Sequence, residues 1–122
     1  MRTLPNAGPE ANRRSRQLFV QYLEGKNDVL KVAEEADGLY FVERRGMSAL
    51  RVLLVDIYTV SVADVSQAIS DDPNLSAIVT ASAWNSITPD AKAYGANAGV
   101  GVFSWKAFMG AVHRSGRDFL AG

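Results

Sequence analysis

The most informative segment of the chain is Asp37–Tyr58, DGLYFVERRGMSALRVLLVDIY. Two apolar arms flank the turn sequence RGMS, a pattern typical of a β-hairpin. If the turn is centred between Gly46 and Met47, opposed residues have numbers that sum to 93, which pairs Asp37 with Asp56. Opposed side chains on antiparallel strands have Cβ atoms roughly 4.5–5.5 Å apart. Because adjacent carboxylates repel each other without a cation between them, this register indicates either a metal site or a chance alignment.

The composition is that of one ordinary globular domain. The chain has 122 residues, of which 48% are hydrophobic and 21% are charged. No apolar run approaches the roughly 18 residues of a membrane span, and the first residues lack the apolar core of a signal peptide. The lack of cysteine excludes disulfides and thiolate metal sites. These features predict a cytoplasmic protein with no membrane partner.

Charge is unevenly distributed, although the formal net charge is zero. The segments before residue 27 and after residue 104 are basic, and the segment between them is acidic. Zero net charge argues against strong non-specific binding to nucleic acid, which depends on neutralising phosphates. A local basic patch is still compatible with it. Arg13, Arg14 and Arg16 lie early in the first predicted helix, where they face either a phosphate-bearing partner or solvent.

Hydrophobic periodicity and turn signals predict the order of elements after a flexible lead-in over residues 1–9. Residues 10–122 form a single domain. The predicted helices are 10–23, 62–70, 89–96 and 105–114, and the predicted strands are 29–33, 39–44, 49–58, 75–80 and 100–104. Ser61, Thr88 and Ser104 precede three of these helices as N-caps.

The continuous apolar segment LRVLLVDIY indicates a central strand that is buried on both faces. Right-handed crossovers place each later strand beside the preceding one. The predicted fold class is therefore α/β, with a mixed central sheet and helices on both faces. A three-strand antiparallel meander is followed by a parallel βαβ unit, in the order αβββαβαβα.

This order, with Asp37 before the second strand and Asp56 late in the third, resembles the restriction-endonuclease-like PD-(D/E)xK superfamily over residues 29–112. The Mrr-type and Holliday-junction-resolvase-like branches are the most similar. In particular, AIVTASAWNSITPDAKAYGANAGVGVFSWKAFMGAV resembles the Mrr-type succession of strand, Thr/Ser-rich loop, helix, strand and terminal helix. The resemblance implies that Asp37 and Asp56 bind Mg²⁺ and that a lysine two residues after the second acid activates water. Tyr58 occupies that lysine position, and its hydroxyl is neutral at pH 7.

The residues leave three functional classes open. The favoured hypothesis is a degenerate, non-catalytic nuclease-fold protein that acts as a binding or assembly module on nucleic acid, DNA or RNA, or on protein. The second is a divergent Mg²⁺-dependent endonuclease that uses Asp37, Asp56 and a relocated basic residue such as Lys31 or Arg51. The third is a homo-oligomeric structural protein, with a homodimer as its simplest form.

Two further features bear on these classes. Trp84, in the loop after the fourth predicted strand, is either a stacking platform for a base or a residue that packs over the sheet end. The segments LRVLLVD and IVTASA also resemble strands of response-regulator receivers. The meander before LRVLLVD and the single aspartate at its end favour the nuclease-like interpretation.

Overall fold

The computed structural model describes residues 11–121, within which the chain forms five helices and seven strands. The helices are α1 (Arg13–Glu24), α2 (Val62–Asp71), α3 (Pro89–Asn97), α4 (Trp105–Ala111) and α5 (Gly116–Ala121). The strands are β1 (Val29–Ala36), β2 (Leu39–Arg44), β3 (Met47–Val55), β4 (Thr59–Val60), β5 (Ala77–Thr80), β6 (Ser86–Ile87) and β7 (Gly101–Phe103). The predicted lead-in over residues 1–9 and the predicted helix start at Glu10 lie outside the described residues.

A five-stranded mixed sheet forms the centre of the domain, in the order β1–β2–β3–β5–β7. The strands β1, β2 and β3 pair antiparallel, whereas β3 with β5 and β5 with β7 pair parallel. The helices α2 and α3 connect the parallel strands. The predicted α/β class, with a meander followed by a parallel βαβ unit, is therefore confirmed. No helix in the described part of the chain has the length and apolar character needed to cross a membrane.

The central strand β3 is buried on both faces, as its apolar sequence predicts. Leu50, Val52 and Leu54 belong to one core cluster, which includes residues of α1, α4 and α5. Leu53 and Val55 belong to a second cluster, which includes residues of α2 and α3. Full burial of one such side chain contributes about 1.5–3 kcal/mol. Helices consequently cover both sides of the sheet.

The register predicted for the hairpin is wrong by one residue over most of its length. Tyr40 pairs with Val52 rather than with Leu53, while Arg44 pairs with Met47, and an irregularity between Val42 and Arg44 separates the two registers. Such a bulge places an extra residue on one strand. The turn is also tighter than predicted, because β3 already begins at Met47. Gly46, immediately before it, adopts a positive φ of 69°.

The first strand is longer than predicted and continues to Ala36. The turn into β2 therefore consists of Asp37 and Gly38, and Gly38 has a positive φ of 77°. The paired residues of β2 and β3 end at Leu39 and Leu53. Asp37 and Asp56 consequently lie beyond the ladder and do not form the predicted cross-strand pair.

The three predicted N-caps are confirmed. Ser61 and Asp64 form a capping box, in which each side chain accepts a hydrogen bond from the other residue's backbone N–H. The hydroxyls of Thr88 and Ser104 accept bonds from backbone N–H groups three residues further on. Each such cap stabilises its helix by about 0.5–2 kcal/mol. These local signals explain why α2, α3 and α4 begin where the sequence predicts.

A buried arginine ties the C-terminal segment to the β2–β3 hairpin. Arg44 donates through Nε to the carbonyl oxygen of Ser48 at 2.8 Å and through Nη1 to the carbonyls of Val112 and Arg114. Its guanidinium carbon also lies 5.8 Å from the ring centroid of Phe119 in α5. Carbonyls at a helix C-terminus lack intrahelical partners, so this cation satisfies acceptors at the end of α4.

Two glycines provide a matched test of the packing. A Cβ on Gly95 in α3 would lie 2.6 Å from Val102 Cγ2 and 2.7 Å from the carbonyl oxygen of Val100, because α3 packs closely on β7. A Cβ on Gly110 in α4 would meet nothing nearer than Arg114 Nη2 at 3.7 Å. We expect Gly95→Ala to lower the free energy of unfolding by about 1–3 kcal/mol through overpacking.

The same substitution at Gly110 is expected to raise the free energy of unfolding by about 0.5–1 kcal/mol, because alanine favours the helix and restricts the unfolded chain. Urea denaturation followed by circular dichroism measures both values. Equal effects of the two substitutions would contradict the close approach of α3 to β7.

Candidate functional site

The parallel strands β3, β5 and β7 end at one edge of the sheet, which we call the carboxyl edge. In open α/β sheets, this is the edge at which ligands bind. Asp56 directly follows β3, and Trp84 lies in the loop after β5. The β1–β2 turn with Asp37 lies at the same edge, because the Leu54 N–H donates to the Gly38 carbonyl at 2.8 Å. The structure thus brings Asp37, Asp56 and Trp84 to one edge.

The carboxylate of Asp56 accepts a hydrogen bond from an amide side chain. Its Oδ1 accepts a hydrogen bond from Asn85 Nδ2 at 3.0 Å. Asn85 Oδ1 in turn accepts from the Ser82 N–H at 3.1 Å, and Ser82 Oγ accepts from the Trp84 N–H, also at 3.1 Å. This chain of bonds fixes the loop that carries Trp84 relative to the end of β3.

A small parallel ladder, formed by β4 and β6, joins the loops that follow β3 and β5. Thr59 pairs with Ser86, and Val60 pairs with Ile87. The ladder is extended on one side, where the Ser86 N–H donates to the Tyr58 carbonyl at 2.8 Å. The two loops are therefore joined by backbone hydrogen bonds along their length. Sequence periodicity does not identify strands of two residues, so this ladder was not predicted.

Two large aromatic side chains project from the joined loops. Tyr58 is 79% exposed and Trp84 is 83% exposed. The alternative prediction for Trp84, that it packs over the sheet end, is therefore wrong. Tyr58, at the position where the family resemblance requires a lysine, extends into solvent. An exposed aromatic on an ordered loop offers a flat apolar surface to a ligand.

The residues present do not fit the metal centre that the resemblance implies. Within residues 11–121, no group of three or more His, Asp or Glu side chains is arranged to hold a metal ion. Arg51, one candidate for a relocated base, donates to Asp72 at 2.7 Å and pairs with Glu35, and its hydrogen bond to Asp72 raises its pKa. Lys31, the other candidate, is exposed on β1 at the sheet margin. We therefore derive no metal-dependent step from Asp37 and Asp56.

A second polar cluster was not anticipated from the sequence. Tyr40 is fully buried, and no described residue makes a hydrogen bond with its hydroxyl. Burial, together with the charge of Glu34, raises the pKa of Tyr40, so the hydroxyl remains protonated. Glu34, directly across the strand pair, accepts from the Gly38 N–H at 3.2 Å and pairs with Arg16 at 3.6 Å.

The three arginines predicted as a candidate binding patch have different environments. Arg16 is partly buried and directed towards Glu34, whereas Arg13 and Arg14 are exposed on α1. The period-two alternation of β2 could have revealed the cluster, because it places Tyr40 on the same sheet face as the inward residues of α1.

Two adjacent depressions run beside α4. The first, of about 340 Å³, lies between residues 104–106 and the loop residues 81–83 and Asn85. The second, of about 370 Å³, extends along α4 from Ser104 and Lys106 to Arg114. The two share Ser104 and Lys106, and together we call them the basic groove. Lys106 makes no ion pair with any described residue, so its charge is open to a ligand.

Comparisons with protein-family models, with curated proteins and with solved structures found no match. The carboxyl edge is therefore interpreted from its own residues. Its defining features are two exposed aromatic side chains, a carboxylate bonded to an amide, and a basic groove beside α4.

The link between Asp56 and Asn85 is directly testable. Asn85→Ala removes two hydrogen bonds, one of them to a carboxylate. We expect the free energy of unfolding to fall by about 1–3 kcal/mol. We also expect the Ser82 amide to exchange faster with solvent, measured by NMR hydrogen exchange.

Asn97→Ala is the matched control, because Asn97 is exposed at the end of α3 and its side chain makes no hydrogen bond with a described residue. This control is expected to change stability by less than about 0.5 kcal/mol. Equal effects of the two substitutions would show that the Asp56–Asn85 bond does not order the loop.

Proposed function

We propose that this chain is a non-catalytic nuclease-fold protein whose carboxyl edge binds single-stranded nucleic acid. The observation that carries the proposal is the exposure of Tyr58 and Trp84 on two loops that the β4–β6 ladder joins. Stacking of a base on an aromatic side chain is worth about 1–3 kcal/mol. Because the loops are already ordered, little conformational entropy is lost when a base stacks. Single strands are favoured over duplexes because their base faces are accessible.

The charge beside the aromatics supports a phosphate-bearing ligand. The depression beside the loop that carries Trp84 contains Lys106, and the groove continues to Arg114. The helix layer formed by α1, α4 and α5 carries three more basic than acidic residues, whereas the layer formed by α2 and α3 carries two more acidic than basic residues. A neutral chain can therefore present a basic surface on one side.

The non-catalytic part of the proposal is supported by two local departures from the nuclease pattern. Tyr58 replaces the lysine that the resemblance requires, and a neutral tyrosine hydroxyl does not stabilise the charge that develops on a phosphate during cleavage. Asp56 accepts a hydrogen bond from the Asn85 amide. The edge thus retains a surface for binding but lacks the charge arrangement for hydrolysis.

The aromatic platform predicts a specific loss of affinity. We expect Trp84→Ala and Tyr58→Ala each to weaken binding of a fluorescein-labelled oligothymidylate by roughly 5- to 150-fold, which corresponds to the loss of one stacking interaction. Fluorescence anisotropy measures the dissociation constant. Tyr94→Ala is the control, because Tyr94 is a partly exposed tyrosine near the far end of α3.

Three outcomes would count against the proposal. Unchanged affinity in both aromatic variants would remove the platform from the binding site, and a lack of binding at millimolar protein would end the nucleic-acid assignment. Cleavage of the oligonucleotide in Mg²⁺, abolished by Asp56→Ala, would contradict the non-catalytic assignment and favour the divergent nuclease.

The basic groove predicts a distinct salt dependence. Each phosphate contact with a single strand contributes about −0.7 to the slope of log K against log salt concentration. We therefore expect Lys106→Gln and Arg114→Gln each to reduce the magnitude of this slope by about 0.7, whereas Trp84→Ala leaves it unchanged. Binding titrations over a range of salt concentrations measure the slope. An unaltered slope in both charge variants would place the nucleic-acid backbone elsewhere.

A further inference from the structure

A separate cavity lies at the opposite edge of the sheet, where β3, β5 and β7 begin. It has a volume of about 230 Å³, and Arg44, Ser48, Ser76, Gly99, Gly116 and Phe119 are among its lining residues. One water occupies roughly 30 Å³ of liquid, so a small anion with part of its hydration shell fits this space. The cavity is separate from the carboxyl edge and plays no part in the proposed function.

The wall of this cavity contains a buried cation, Arg44, that has no carboxylate partner among the described residues. Arg44 is only 5% exposed. No described Asp or Glu lies within ion-pair distance of its guanidinium. Asp28 acts on Arg44 only at longer range, and its own carboxylate lies 2.9 Å from His113 Nδ1. Among the described residues, the positive charge is therefore compensated at close range by carbonyl dipoles and the ring of Phe119, with no carboxylate in contact.

The hydrogen-bonding capacity of Arg44 is also incompletely used. A guanidinium has five N–H donors in a planar fork. Three donate to carbonyl oxygens, one from Nε and two from Nη1. The Nη2 group, with its two N–H donors, has no hydrogen-bond partner among the described residues. Burying a charge without a counter-ion is costly, and guanidinium groups bind carboxylates and phosphates with two parallel hydrogen bonds.

Two hydroxyl groups line the same cavity. Ser76 Oγ accepts a hydrogen bond from the Arg51 N–H at 2.9 Å, which leaves the hydroxyl proton available as a donor. Ser48 makes no side-chain hydrogen bond with a described residue. We propose that this cavity binds a small oxyanion, a phosphate or a carboxylate, between the guanidinium of Arg44 and the hydroxyls of Ser48 and Ser76. The bound anion neutralises the buried cation that holds the C-terminal helices.

Thermal unfolding at constant ionic strength tests the proposal, with inorganic phosphate or acetate replacing chloride. At ten times the dissociation constant, a specific ligand is expected to raise Tm by about 3–6 °C, and above this concentration Tm rises with the logarithm of the anion concentration. General salting-out by phosphate does not follow this binding curve and is the same in all variants. In ¹H–¹⁵N NMR spectra, the amides of Gly99 and Gly116 are expected to shift with the same dissociation constant.

Two variants leave Arg44 and its carbonyl contacts in place. Ser48→Ala removes one hydroxyl, and we expect it to weaken binding about tenfold or more. Ala49→Leu places a larger side chain at the cavity wall and is expected to abolish the anion-specific rise in Tm. Arg44→Gln is a third variant, to be interpreted only if its circular dichroism spectrum is native.

A rise in Tm and saturating NMR shifts with phosphate, both reduced in the two variants, support a phosphate-binding cavity. The same behaviour with acetate alone supports a carboxylate ligand in the same place. No saturating NMR shift with either anion, or an effect that Ser48→Ala and Ala49→Leu leave intact, overturns the proposal and leaves Arg44 with a purely structural role. None of these outcomes depends on the carboxyl edge, so they are distinguishable from failure of nucleic-acid binding.

Discussion

The arrangement of the helices and strands follows from the burial of β3 on both of its faces. Its even-numbered residues Leu50, Val52 and Leu54 require one layer of helices, and its odd-numbered residues Leu53 and Val55 require another. Within the sheet, the antiparallel meander lies to one side of β3, and the parallel strands β5 and β7 lie to the other. The parallel crossovers bring the ends of β3, β5 and β7 together, and this creates the carboxyl edge.

The features that depend on nearby residues could be predicted from the sequence. Ser61, Thr88 and Ser104 each cap a helix through a backbone group three residues away, so their signals are complete within a short segment. The continuous apolar run of β3 likewise identifies its own burial. The fold class followed from these local signals and from the rule that crossovers are right-handed.

The features that depend on distant residues could not be predicted in the same way. The hairpin register is displaced next to Arg44, whose partners Val112 and Arg114 are about 70 positions further along the chain. The β4–β6 ladder contains only two residue pairs, too few for any periodicity. Of the predicted site residues, Asp37 and Asp56 do reach the same edge, but the bond between Asp56 and Asn85 has no sequence signature because it joins two loops.

The carboxyl edge and the opposite edge of the sheet differ in the chemistry of their residues, and we propose a different ligand for each. The carboxyl edge combines aromatic faces with a basic groove, which suits an extended polymer with stacked bases and charged phosphates. The opposite edge encloses a buried guanidinium in a small cavity, which suits a compact anion. Because Arg44 also binds the carbonyls of Val112 and Arg114, occupancy of that cavity would stabilise the C-terminal segment.

A ¹H–¹⁵N NMR titration with oligothymidylate tests the claim that Tyr58 and Trp84 form a binding platform. We expect the indole N–H of Trp84 and the amides of residues 58–60 and 82–87 to shift together with one dissociation constant. The resonances of amides on the exposed face of β1 and on α2 are predicted not to shift. Shifts confined to β1 or α2, or an unshifted Trp84 indole at saturating oligonucleotide, would contradict the claim.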